Sequence, residues 1–110
     1  MEKRINDRNV GLTPKQRDLI NRRLERASDQ FAGQIHSVSV LLNDENGPNG
    51  GEDILCRVIV RLNGEGEIVV KGTGSSVEAV VTDVVDRVSF AISRRFERRK
   101  DSQGTSMSGL

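Results

Sequence analysis

Lys15, Arg22 and Arg26 stand at i, i+7 and i+11, and Arg87, Arg94 and Arg98 repeat that interval near the other end of the chain. On an α-helix, which turns about 100° per residue, each trio falls within about 40° and makes a longitudinal row of cations. Guanidinium groups present planar forks that match phosphate oxygens, so two such rows, lengthened at one end by Arg95, Arg99 and Lys100, suit the backbone of a folded RNA. Contacts of that kind position a protein and read shape more than base sequence. The plainer alternative is a solvated helix surface in which Asp18, Glu25 and Asp29 serve as ion partners.

Other reactive side chains point to less. Phe90 stands off the apolar stripe of its segment, beside Arg87 and Arg94. Packing against the first helix is the expected role, and stacking on a base is the alternative. Cys56 shares the strand parity of buried valines and is expected in the core, where no base would activate it. His36 opens a strand on the core-facing parity and reads as structural. Asp44, Glu45, Glu52 and Asp53 flank the glycines Gly47, Gly50 and Gly51, but their spacing matches no EF-hand and no phosphate loop, so a solvated loop is expected. These residues predict no enzyme, metal site, cofactor or small-molecule substrate.

Composition sets the frame for those elements. The chain has 110 residues, with 17 Lys and Arg against 16 Asp and Glu, and 31 residues are Leu, Ile, Val or Phe. That apolar content is enough for one folded domain with one core. The near-neutral total hides segregation. Residues 87–100 carry six cations against Glu97, whereas residues 41–70 carry six acids against Arg57 and Arg61. No apolar run approaches the length of a membrane span, the N-terminus leads into no signal-peptide core, and a single Cys fits a reducing compartment. A cytoplasmic location without membrane contact is therefore expected.

The elements follow from periodicity. Glu2 to Asn9 reads as a polar edge strand anchored by Ile5. Thr13-Pro14-Lys15-Gln16 is a capping box with proline at the first helical position, and Ile20, Leu24, Ala27 and Phe31 continue as one apolar stripe until Gly33. From Ile35 to Leu42 the period becomes two, with Val38, Val40 and Leu42 on one face. Ile54, Cys56, Val58, Val60 and Leu62 form the inward face of the next strand, with Arg57 and Arg61 on the outward one. Asn63-Gly64 predicts a tight type I′ hairpin, and Glu65 to Lys71 the returning strand. Ser75-Ser76-Val77-Glu78 reads as a second capping box with Ser75 as N-cap, opening a helix lined by Val77, Val81, Val84, Val88 and Ile92. Residues 1–100 thus form one domain, and the Ser/Gly-rich segment 101–110 is expected to be a disordered tail. The order β-α-β-β-β-α predicts an α+β fold with both helices on one face of a four-stranded mixed sheet.

The segment from Ile5 to Pro14 (Ile-Asn-Asp-Arg-Asn-Val-Gly-Leu-Thr-Pro) resembles the first strand and helix start of the ribosome hibernation promoting factor and ribosome-associated inhibitor family. Val84-Val85-Asp86-Arg87-Val88 is similar to that family's Ala-Ile-Asp-Lys-Leu core. The run from Asp44 to Gly47 with Gly50, Gly51, Asp53 and Cys56 resembles a subset of its short bacterial members. The resemblance covers residues 2–100 and implies the same element order. It also implies binding to the small ribosomal subunit and its rRNA, in the channel of messenger and transfer RNA, which blocks translation and preserves idle ribosomes under stress. By the resemblance Arg8 stands for the basic residue of the first strand, Arg22 and Arg26 for those of the first helix, and Arg87, Arg94 and Arg98 for those of the second. Glu78, Thr82 and Phe90 depart from the family pattern, where an aromatic, an Asp and a charged residue are usual. By the resemblance, a sequence of this length is expected to be of the short type, without the extra C-terminal domain of longer members.

Two functions are consistent with this reading. One is a ribosome-associated translation inhibitor whose RNA-binding residues are Arg8, Lys15, Arg22, Arg26, Arg87, Arg94, Arg95, Arg98 and Arg99. The other is a protein-interaction module without an RNA role, a homodimer through its open sheet face or an edge strand.

Overall fold

A computed structural model describes residues 1–44, 53–64 and 66–108, with side chains as far as Glu97. The elements are β1 (Glu2–Arg8), α1 (Pro14–Ser28), a 3₁₀ segment (Asp29–Gln34), β2 (Ile35–Asp44), β3 (Ile54–Leu62), β4 (Glu67–Gly74) and α2 (Val77–Ser108). They form an α+β fold in which one four-stranded sheet runs in the order β1-β2-β3-β4. β1 pairs parallel with β2, and the other two pairings are antiparallel. The parallel pair needs a crossover, which α1 supplies, while the meander from β2 to β4 needs only turns.

The period-two residues Val38, Val40, Leu42, Cys56, Val58, Val60 and Leu62 are buried beneath both helices. Ile20 and Leu24 of α1 and Val77, Val81, Val84, Val88 and Ile92 of α2 meet them in a single core, which Val80 and Val85 also join. Valine is a mediocre helix former, so burial on one face, more than propensity, holds α2 helical. α2 lies close on β4 because Gly72 leaves room for it. A Cβ at Gly72 would stand 2.6 Å from Arg87 Nη2 and 2.8 Å from Val84 Cγ2.

The α1 capping box is present in full. Thr13 Oγ1 accepts from Gln16 N–H, Gln16 Oε1 accepts from Thr13 N–H, and Pro14 occupies the first turn. At the start of α1 Asp7 gathers the crossover loop. Its Oδ1 accepts from the backbone N–H of Val10 and Gly11, and its Oδ2 from Leu12.

Several sequence expectations are corrected. The α-helix ends at Ser28, not Gly33, because Phe31 takes a non-helical backbone within the 3₁₀ segment. There its ring stacks on Phe96 with centroids 4.8 Å apart. His36 is exposed, not core-facing, because a register irregularity between Ile35 and Ser37 reverses the strand parity. Ile35 and Val38 can then both point inward. The N-cap of α2 is Ser76 instead of Ser75. Its Oγ accepts from Ala79 N–H, which places Val77 at the first helical position, where it is buried.

The Asn63-Gly64 turn is not type I′, since among the described non-glycine residues only Asn9 has positive φ. Leu62 N–H donates instead to Gly66 O, and Gly64 and Gly66 take φ of 73° and 85°. Asn63 is held to the 3₁₀ segment through Gln34 O and Gly33 O. β4 accordingly starts at Glu67 and reaches Gly74. α2 continues as far as Ser108, into the segment expected to be a tail. Most of the expected 43–51 loop, including Glu45, Gly47, Gly50 and Gly51, lies outside the described residues, as do Glu52 and Glu65.

Candidate nucleic-acid interface

α1 turns Ile20 and Leu24 to the core and leaves Lys15, Arg22 and Arg26 exposed on its outer side. Arg22 Nη2 lies 3.1 Å from Asp18 Oδ2, an i, i+4 pair fully open to water. Such a pair contributes little to stability and releases its arginine readily to a stronger anion. Lys15 and Arg26 have no acidic partner among the described residues. The expected row on α1 is therefore present and available.

The row on α2 is less uniform. Arg87 donates to the backbone carbonyl of Lys71 on β4 at 2.8 Å and to Asp83 at 3.0 Å. It is an anchor between helix and sheet as much as a surface cation. Arg94 is exposed and sits over the Phe90 ring at 5.6 Å. Phe90 itself is 63% exposed, so the expectation that it packs on α1 is wrong. The core takes Val84, Val88 and Ile92, and Phe90 falls on nearly the opposite side of the helix. Arg95 is half-buried. The side chains of Arg98, Arg99 and Lys100 lie outside the described residues.

The two rows do not share one groove. The groove between α1 and α2 has a cavity of about 110 Å³ lined by Arg23, Arg26, Ala27, Val85, Asp86 and Ser89. The α1 row borders this groove, whereas Arg87 and Arg94 lie on the far flank of α2, over β4. Within the groove the Nε of half-buried Arg23 is shielded from water and has no hydrogen-bond partner among the described residues. Arg23 escaped the sequence reading because only the longest cationic spacing was followed. Its signal is the i, i+3 pair with Arg26, which marks the side of α1 turned toward α2.

Arg8 belongs to neither row. The inward residues of β1 are Lys3, which pairs with Glu25 of α1, Ile5, which packs against the core, and Asp7, whose Oδ2 lies 4.0 Å from Arg17. Arg4, Asn6 and Arg8 consequently face the open side of the sheet. There a shallow cavity of about 230 Å³ is lined by Arg4, Asn6, Arg8, Leu41, Arg57 and Ile59.

Cys56 is fully buried, and desolvation pushes its thiol up to about 11. No group of three His, Cys, Asp or Glu residues converges on a cation position among the described residues. No helix among them is long and apolar enough to cross a membrane.

Fold and surface together define a small two-helix, four-strand domain with exposed cations on its helical layer and on its bare sheet face. Comparison with known proteins narrows this class. Residues 4–100 match the family described as sigma 54 modulation protein / S30EA ribosomal protein, and the chain belongs to that family. A ribosomal subunit interface protein from Coxiella burnetii has the same fold, with a TM-score of 0.76 at 14% identity over 88% of this chain and 99% of that one. The N-terminal domain of Thermus thermophilus Protein Y matches with a TM-score of 0.68 at 24% identity, over 86% of this chain and 98% of that one. Among curated proteins none matches in sequence.

Proposed function

We propose that this chain is a non-catalytic, ribosome-associated translation inhibitor of the hibernation type, held on small-subunit rRNA by the cations of its helical layer. The observation that carries the reading is the family match across residues 4–100. The surface adds Lys15, Arg22 and Arg26, which are exposed, off the core stripe and free of any packing role. Arg94 extends the contact on α2. Arg8, Arg87 and Arg98, which the family resemblance supplies, and Arg95 and Arg99, which extend the row on α2 in the sequence, complete the set, with Arg87 partly committed to β4. Association takes place in the cytoplasm, where ribosomes are.

A homodimer through the open sheet face is disfavoured by charge. Two copies meeting there would set Arg4, Arg8, Arg57, Arg61 and Lys71 against one another, with Glu2 and Glu67 the acids that the described strands offer to offset them.

Cosedimentation with small subunits and whole ribosomes tests the reading. Arg22→Glu with Arg26→Glu should abolish association at moderate salt without changing the unfolding midpoint, and Arg94→Glu should weaken it. Binding of the native protein should fall as salt rises, with a slope that shrinks by about 1 for each phosphate-contacting arginine removed. A double variant that sediments with ribosomes as well as the native chain would sink the reading. Arg87→Glu is a poor probe, since it would also break the bond to Lys71 O and repel Asp83.

A further inference from the structure

Among the described residues, the sheet face that carries no helix is more one-sidedly cationic than the helical layer. Strand register stacks its side chains in rows. Glu2, Ser37, Arg61 and Glu67 form the first, and Arg4, Ser39, Ile59 and Val69 the second. Asn6, Leu41, Arg57 and Lys71 form the third, and Arg8, Asn43, Leu55 and Thr73 the fourth. Among the described strand residues, the two acids on this face are already engaged, Glu2 with Arg4 at 3.3 Å and Glu67 with Arg61 at 3.5 Å. Arg8, Arg57 and Lys71 have no acidic partner among the described residues. The helical layer, by contrast, interleaves its exposed cations with Asp18, Glu25, Asp83, Asp86 and Glu97.

One contact on this face is unfavourable in the free protein. Arg57 and Lys71 are direct register partners on neighbouring strands, and like charges directly opposite one another destabilise a sheet. An anion lying across the pair converts that repulsion into binding. The face offers no described aromatic on which bases could stack, so it suits a phosphate backbone and not a splayed single strand. Between the cations Leu41, Ile59 and Val69 make a low apolar floor. Val69 is 48% exposed, and the floor is of a kind that ribose edges can cover.

We infer that the open sheet face is a second RNA-binding surface. Arg8, Arg57 and Lys71 grip the phosphates of one RNA segment while the helical layer holds another, so that the domain is clasped from both sides. The inference rests on the ribosome reading above and names what the bare face of the sheet does within it.

Lys71→Glu supplies a signature that a passive surface would not show. It places a carboxylate opposite Arg57, so the urea midpoint should rise while the affinity for ribosomes falls about tenfold. Arg57→Gln with Lys71→Gln should lower affinity and reduce the salt slope by about 2. In parallel, a benzophenone amino acid at Ile59 should crosslink to rRNA when the otherwise native chain is bound to ribosomes. Unchanged affinity and slope in the open-face variants, beside a native response to Arg22→Glu with Arg26→Glu, would overturn the second surface and leave the helical one standing. Crosslinking from position 59 to a ribosomal protein or to a second copy of the chain, or no crosslink at all, would also overturn it. If the native chain does not cosediment, both readings fall together.

Discussion

Replacing Asp7 should loosen the crossover that aims α1. Its carboxylate accepts from Val10 and Gly11 at 3.0 and 3.2 Å and from Leu12 at 2.8 Å, and its side chain is only 13% exposed. Hydrogen bonds to a charged group are each worth about 1.5–3 kcal/mol net, less where the freed donor regains water. Gly11 is exposed and rehydrates, whereas Val10 and Leu12 are half-buried. Asp7→Ala should therefore cost about 2–4 kcal/mol. Asp7→Asn should cost about 1–2 kcal/mol, because it keeps one acceptor oxygen but turns an amide N–H₂ toward Leu12 N–H.

Urea unfolding at pH 7 reads both values as midpoint shifts at constant slope. The bond from Leu12, followed by those from Val10 and Gly11 and by the charge of Arg17, outweighs desolvation and holds the Asp7 carboxyl below its ordinary value. Its stabilisation is thus complete above the unfolded-state value of about 3.9 and is lost as pH falls through the lower folded value. The gap between native protein and Asp7→Asn should stay level from pH 7 to 5 and narrow below about pH 4. An Ala variant with the native midpoint at pH 7, or a gap to Asn that widens on acidification, would refute the reasoning.

Gly72→Ala drives a methyl into Val84 and the Arg87 guanidinium, so it should destabilise by about 1–3 kcal/mol and lower the midpoint in the same urea assay. Arg87→Ala in the same background should recover part of the loss. Cys56 should resist a thiol reagent such as DTNB in the native state at pH 8 and react fully in urea. Labelling at the rate of a free thiol in native buffer would contradict its burial.

The core was legible because burial writes itself as period. Alternation in Val38–Leu42 and Cys56–Leu62, and the 3.6 spacing of Val77, Val81, Val84, Val88 and Ile92, each name an inward face without any knowledge of the partner. The Thr13 capping box was equally plain, since its partners lie within one turn. What escaped depends on single-residue slips or on neighbours distant in sequence. The irregularity beside His36 changes parity without changing composition, and Ser75 and Ser76 are chemically identical candidates for one cap. The Asn63-Gly64 pair was read from its own preference, while the turn answers to a tether from Gln34 and Gly33. The cationic rows were read from helical spacing alone. Their placement on separate flanks, and the diversion of Arg87 to β4, are set by how the helices pack, which no helical wheel contains. On the sheet, Arg57 and Arg61 were visible as outward parity, and Arg8 through the family resemblance. Only the register reveals that they share a face with Lys71.

The parallel pairing of β1 with β2 also gives the molecule an order of assembly. Strands β2, β3 and β4 join neighbours along the chain and close through short connections, whereas β1 meets β2 only after α1 has been laid across the sheet. Loop closure over that separation is entropically dearer and slower than a hairpin. The antiparallel meander is therefore expected to form first and β1 to dock last, which hydrogen exchange would read as weaker protection in β1 than in β2 and β3. Arg4 and Arg8 ride on that late strand, so the complete cationic face exists only in the finished fold. With the meander formed but β1 undocked, Arg57 and Lys71 stand without them, and the cationic face is completed only when β1 joins the sheet.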